Sequence, residues 1–188
     1  MTTPRTVRVG SRKSPLAMAQ SEEVVAKLRA RFPLHEFTIV QISTGGDRDK
    51  ETPPQILGRG IFSKDIEDAL LRGDVDLAVH SAKDLAPDLP DRLVVAGVLE
   101  REDPRDVLVN RWGGTLAELP ASARIGTGSP RRGAQLLALR PDLIVLPIRG
   151  NVGTRLEKSR GPDYDGIVVA AAGLLRLGLR SEITEYLD

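Results

Sequence analysis

Cysteine is absent from the 188 residues, which excludes disulfides, a thiolate nucleophile and any thiolate metal site. Histidine is scarce. His35 and His80 are too few for a histidine-based metal cluster, so metal-free chemistry is expected. An excess of one charge is missing as well: 27 Lys and Arg against 26 Asp and Glu leave a formal +1. No overall field draws the chain to nucleic acid or to an anionic membrane, so neither is expected as a partner, and any anion site has to be local. No stretch is long and apolar enough to span a bilayer, and Met1 to Arg8 hold no apolar run of the signal-peptide kind, so a cytoplasmic setting is expected. What remains is the composition of a globular protein, 40% hydrophobic, with room for one large domain or two small ones.

Short apolar runs alternate with helical patterns. Thr6 to Val9, Phe37 to Ile42 and Asp76 to His80 read as strands, with helices after Ser14 and after Phe62. Leu16, Val24, Leu28 and Phe32 fall at multiples of four and are expected to share the buried face of the first helix, with Ser14 and Pro15 at its N-cap and first turn. Phe62, Ile66 and Leu70 form the corresponding stripe of the second helix, and Gly73 is placed to end it. After the charged, proline-broken stretch Glu100 to Arg105 a new series begins: Asp106 to Asn110, Arg124 to Thr127, a helix after Ser129, Leu143 to Ile148, and Gly166 to Ala170. The alternation predicts an α/β protein with mostly parallel sheets, helices on both faces and two domains, 1–100 and 101–188. Thr44 to Gly60 combines glycines, prolines and charges without an apolar period and is expected to be a long mobile loop, with Arg59 and Phe62 near its far end reaching toward bound ligand. The pattern S-P-x-x-x-A-Q occurs twice, at Ser14 to Gln20 and at Ser129 to Gln135. If the two are equivalent, each domain carries a strand-to-helix turn whose free N–H groups attract anions.

Three clusters could carry chemistry. Ser81, Lys83 and Asp84 follow a strand, where an open α/β sheet delivers ligand-binding groups, although Asp84 could equally cap the next turn with Lys83 as a solvated neighbour. His80 reads as a buried strand-end histidine rather than a catalyst. In Gly126 to Arg132, Arg131 and Arg132 sit in the first turn of a helix, where cations oppose the helix dipole. A bound carboxylate reverses that sign by pairing with the guanidinium forks, while a solvent-facing pair is the alternative. Arg149 to Arg155 places two glycines between arginines after an apolar strand, with no Gly-Lys-Ser/Thr of a Walker A loop; a plain glycine turn is the alternative. With Arg12 and Lys13 before the first helix, these cations imply a polyanionic ligand. A single carboxylate among them, Asp84, suits a substrate that is negative at its periphery and becomes positive at its reacting centre.

In order along the chain, R-K-S-P-L-A, H-S-A-K-D, E-R-E-D-P-R-D, G-T-G-S-P-R-R, R-G-N-V-G-T-R-L and A-A-A-G-L-L-R-L-G-L resemble the hydroxymethylbilane synthase (porphobilinogen deaminase) family over essentially the whole length. The resemblance implies a fold like that of type II periplasmic binding proteins. It also implies a transferase of porphyrin and haem biosynthesis that joins four porphobilinogen units into a linear tetrapyrrole with loss of ammonia. It assigns catalysis to Asp84, with Lys83 beside it. The acetate and propionate groups go to Arg12, Ser14, Ser81, Lys83, Thr127, Ser129, Arg131, Arg132, Arg149, Gly150, Arg155 and Arg176. Ala86, Gly128 and Pro130 depart from residues common in the family without removing a charge.

The family's cofactor is dipyrromethane, tethered to a cysteine of a third domain that this sequence lacks, together with the return strand to the first domain. The expectation is therefore a truncated product or one half of a split enzyme. Its ligands would be porphobilinogen and polypyrrole carboxylates, its partner a separate C-terminal domain, its state monomeric and its metal content nil. A catalytically silent two-lobed polyanion-binding module is the alternative, and an extracytoplasmic solute receptor a weaker one for want of an export signal.

Overall fold

A computed structural model of the chain describes residues 3–48 and 60–187. The chain forms two compact units, residues 1–100 and 101–188. In the first, β1 (Thr6–Arg12) is the central strand, paired in parallel with β2 (Glu36–Ile42) on one side and with β3 (Leu77–Ala78) on the other. Between β1 and β2 runs α1 (Pro15–Arg31). Its start follows from the local sequence: Ser14 is extended, its hydroxyl accepts the Ala17 N–H at 3.3 Å, and Pro15, which has no N–H to satisfy, takes the first helical position. α1 packs with Val25 and Leu28 against Val7, Val9 and Phe37. On the opposite face of the sheet lies α3 (Lys64–Arg72), close enough that a methyl on Gly10 would meet Val75 at 3.2 Å and Ile66 at 3.4 Å. Gly73, in the left-handed region at φ 77°, ends α3.

Several expectations shift here. The buried positions of α1 are Ser21 and Val25, whereas Val24 is half-buried and Phe32 has become the C-cap, 45% exposed. A polar residue causes the shift. The Ser21 hydroxyl donates to the buried Ser11 hydroxyl at 2.8 Å, so the helix turns a serine toward β1, and apolar periodicity could not register this. In α3, Ile66 and Ala69 are the buried pair, while Leu70 is half-buried and Phe62 precedes the helix. β3 is shorter than the expected Asp76 to His80. The stretch expected to be mobile begins in order: Thr44 is buried and α2 (Gly45–Arg48) is a helical turn, while 49–59, with Arg59, lie outside the described residues. From Leu85 to Arg105 the chain forms no helix or strand.

The second unit is a five-stranded sheet of order β6-β5-β7-β4-β8, built from β4 (Asp106–Asn110), β5 (Arg124–Thr127), β6 (Ile144–Pro147), β7 (Gly166–Ala170) and β8 (Glu185–Leu187). β5 pairs in parallel with β6 and β7, and β4 is antiparallel to both β7 and β8. Across the two sheets four of the six pairings are parallel. The period-two alternation of strands sorts the core into layers. Val107, Val109, Ile167 and Val169 face Leu156 of α5 (Val152–Ser159) and Leu174 of α6 (Ala171–Arg176). Leu108, Ile125 and Val168 face Leu136 of α4 (Pro130–Leu139), together with Leu116 and Leu119. Helices thus cover both faces. Among the described residues no helix is long and apolar enough to cross a membrane.

Candidate functional site

In both units the singled-out residues follow the C-terminal ends of parallel strands, the edge where open α/β sheets present side chains to ligands. In the first unit Arg12 closes β1, Ser14 caps α1, and Ser81, Lys83 and Asp84 follow β3, the last two within a 3-10 turn, Ala82–Asp84. The Asp84 N–H bonds the Ser81 carbonyl at 2.9 Å, which fixes the turn.

The Arg12 guanidinium ties these segments together. It lies 3.5 Å from the Asp84 carboxylate, 2.5 Å from that of Asp47, and 4.2 Å over the Phe62 ring. Thr44 donates its hydroxyl to Asp47 at 2.7 Å. Burial opposes the Asp47 charge, but the hydrogen bonds from Arg12 and Thr44 outweigh it and hold the carboxyl below the usual carboxylate range. Arg12 therefore already has two carboxylate neighbours, which alters the sequence expectation of an arginine open to a substrate acid. Ser81 is likewise engaged, donating to Gln20 Oε1 at 2.8 Å. Ser14 spends its oxygen on the helix cap, and Lys83 is exposed. The His80 imidazole is pushed down chiefly by burial, and its Nε2 has no hydrogen-bond partner.

In the second unit Thr127 ends β5, and its hydroxyl accepts the Ser129 N–H at 3.2 Å. Ser129 caps α4 by accepting the Arg132 N–H at 3.4 Å, as Ser14 caps α1, so the two S-P-x-x-x-A-Q segments are equivalent in structure. Their glutamines correspond too: Gln20 accepts from Ser81 and Gln135 from Arg131, at 2.9 Å.

Arg131 and Arg132 converge on one carboxylate, Asp106, at 3.1 and 2.6 Å. This corrects the view that two cations in a helix's first turn have nothing to gain without ligand. Burial opposes the charge of Asp106, yet Arg132 and Arg131 bring its carboxyl below the usual range. Arg149, Gly150 and Arg155 follow β6. Gly150 sits at φ 117°, and a Cβ there would fall 2.7 Å from Thr154, so only glycine fits. Its carbonyl accepts the Arg155 Nε–H at 2.8 Å. The Arg155 guanidinium lies below the usual arginine range because burial, then the like charges of Arg132 and Arg149, disfavour its protonated form. Arg176 is the last residue of α6, after β7, and half-buried. The surroundings of Arg132, Arg149 and Arg155 thus favour an added anion.

Sequence reasoning missed Asp47, Asp106 and Gln20. Asp106 opens a strand and Asp47 lies in a charge-rich loop, so only the fold reveals their arginine partners. Gln20 carried a signal in the repeated motif.

Residues 7–188 match the family model described as porphobilinogen deaminase, dipyromethane cofactor binding domain. The chain belongs to the porphobilinogen deaminase family. It is 49% identical over 186 residues to the porphobilinogen deaminase of Alkaliphilus metalliredigens, covering 98% of this chain and 58% of that one. With the Bacillus subtilis porphobilinogen deaminase it shares 48% identity over 186 residues, covering 98% and 59%. The chain therefore spans somewhat under two thirds of the length of these relatives. Among solved structures it resembles the methionine binding protein MetQ, with a TM-score of 0.56 at 14% identity over 97% of this chain and 78% of that one. The OxyR2 regulatory domain of Vibrio vulnificus gives a TM-score of 0.53 at 12% identity, covering 97% and 80%. These likenesses show the fold, that of type II periplasmic binding proteins.

Proposed function

We propose that this chain carries the chemistry of hydroxymethylbilane synthase, deaminating porphobilinogen and joining four units into a linear tetrapyrrole. The observation that carries this reading is the crowding of Arg132, Arg149 and Arg155, where burial and like charge oppose the cation on Arg155 and a substrate carboxylate relieves both. Thr127 and Ser129 beside Arg132, and Arg176 after β7, belong to the same acid-binding surface. In the first unit Arg12, itself held by Asp47, pairs with Asp84 at the end of its turn.

The role of Asp84 is to accept a hydrogen bond from the pyrrole N–H, to assist departure of the aminomethyl nitrogen as ammonia, and to offset the positive charge of the azafulvenium-like cation left behind. The next pyrrole's carbon then attacks the exocyclic methylene, forming the new C–C bond and releasing a proton. Lys83, exposed beside Asp84, attracts the substrate's acids.

The dipyrromethane of the family fits one half of this chain's chemistry. Its carboxylates suit the guanidinium group, but a thioether tether needs a cysteine, and the sequence has none. When bound, that group supplies the pyrrole end from which polymerisation starts. The cysteine for that tether belongs to a C-terminal domain outside these 188 residues, and the setting is cytoplasmic.

The test is turnover with that domain supplied. Asp84→Asn keeps a hydrogen-bonding group but no charge and is expected to lose about 100-fold or more in rate. Asp84→Glu should keep more. Undiminished turnover in the Asn variant contradicts the assignment and favours a silent polyanion-binding module.

A further inference from the structure

Two buried ionisable groups on the α3 side of the first sheet have no part in the chemistry above. Strand alternation sorts the residues of β1 and β3 between the two faces. Val7, Val9, Leu77 and Val79 pack on the α1 side, so Arg8, Gly10 and Arg12, with Ala78 and His80, take the α3 side. The Val79 N–H bonds the Gly10 carbonyl at 3.1 Å, which continues the register of Val9 with Leu77 and Gly10 with Ala78 and brings His80 level with Arg12. On α3, Ser63 and Ile66 are fully buried, and Glu67 stands between Ser63 and Leu70 at the margin of that inward stripe.

Glu67 Oε1 and His80 Nε2 are both shut away from solvent, and neither has a hydrogen-bond partner. A fold leaves few such atoms unsatisfied, because each has lost its water without replacement. One is an acceptor, and the other is a donor in one of the two neutral imidazole tautomers, so each can supply what the other lacks. Burial pushes the His80 imidazole below its ordinary value, the charges of Glu67 and then Asp84 pull it up, and that of Arg12 pushes it down. The imidazole therefore feels both the carboxylate of α3 and the carboxylate assigned to catalysis.

Building on the reading of Asp84 given above, we propose that His80 is a positioning residue, held neutral with its Nε2–H donated to Glu67, which leaves Arg12 as the cation paired with Asp84. Glu67 fixes the ring and its tautomer, and burial keeps the ring uncharged. Arg12 is shared with Asp47, so Asp84 retains the negative charge that the azafulvenium-like cation requires. Protonation of His80 would set a second cation near Asp84. That charge would oppose the cation formed from substrate and weaken Asp84 as a proton acceptor. The groups that govern His80 thus come from three elements: Glu67 from α3, Arg12 from β1 and Asp84 from its own turn.

The sequence holds two histidines, so nitrogen-15 imidazole spectra of the 188-residue chain distinguish His80 from His35 once His35→Gln has assigned them. At pH 7 the wild-type His80 should be neutral with its proton on Nε2, a result that needs no further variant. Glu67→Gln removes a charge but keeps an acceptor, and Asp84→Asn removes the other charge. Each should lower the His80 titration midpoint by about half a pH unit or more and leave that of His35 unmoved. In turnover with the C-terminal domain supplied, His80→Gln should leave KM unchanged and move the acidic limb of kcat to lower pH. A proton on Nδ1, or a midpoint indifferent to Glu67→Gln, overturns the pair. A midpoint indifferent to Asp84→Asn, or an unmoved acidic limb, overturns its link to the reacting centre. The titrations require no turnover, so failure of the catalytic reading and failure of this one are told apart.

Discussion

The two units treat the same opening motif differently. The second surrounds its five-stranded sheet with two buried clusters, one on each face, and closes the side beyond β7 with antiparallel β4 and β8. Among the described residues the first has three strands, a single buried cluster around Val7, Val9, Val25 and Phe37, and a long irregular stretch after Asp84. The arginine-rich surface stands on the more complete scaffold, and the carboxylate assigned to catalysis stands on the less complete one. Guanidiniums held close to one another have to be fixed against their own repulsion, which needs a rigid base. Asp84 instead takes its position from its ion pair with Arg12, which Asp47 shares, and from its own turn.

The contrast is sharpened most by truncating the core. Ile167 is fully buried where β7 meets β4 and α6, so Ile167→Ala should cost about 2–5 kcal/mol. Val25→Ala removes fewer atoms from the smaller cluster and should cost less. Urea unfolding measures both, and a larger loss at Val25 would reverse the ranking of the two cores.

A smaller effect separates the units by pH. Asp165 is lowered from 3.8 to about 2, first by the hydrogen bond from Arg124 and with further help from Arg111. A carboxyl depressed in the folded state stabilises above its unfolded value and loses that contribution as pH falls through the folded one. The stability gap between wild type and Asp165→Asn should therefore be full at pH 7 and shrink between about pH 4 and pH 2. A gap independent of pH would remove the ion pair as its cause.

Much of this architecture is legible in the sequence, for local reasons. Asp106 to Asn110, Arg124 to Thr127 and Gly166 to Ala170 are strands with the boundaries their apolar runs imply, and Ser14, Pro15 and Gly73 mark helix ends through backbone preferences that act within a few residues. What was not legible depends on distant partners. β8 is a strand because β4 offers it an edge, and the inward face of α1 is set by a serine bonding to Ser11. At the site, the clusters after each strand could be found by position. The carboxylates that neutralise them, Asp47 and Asp106, come from elsewhere in the chain, and so Arg12, Arg131 and Arg132 looked more available to ligand than they are.

The division of labour between the units is tested most directly by calorimetric titration of porphobilinogen into the wild-type chain, Arg132→Ala and Asp84→Asn. A charge-assisted hydrogen bond is worth about 1.5–3 kcal/mol, so Arg132→Ala should weaken binding about ten-fold or more. Asp84→Asn, which alters the carboxylate reserved for the reacting centre, should leave affinity nearly unchanged. Unchanged affinity in Arg132→Ala, or an equal loss in both variants, would contradict the assignment of binding to one unit and chemistry to the other.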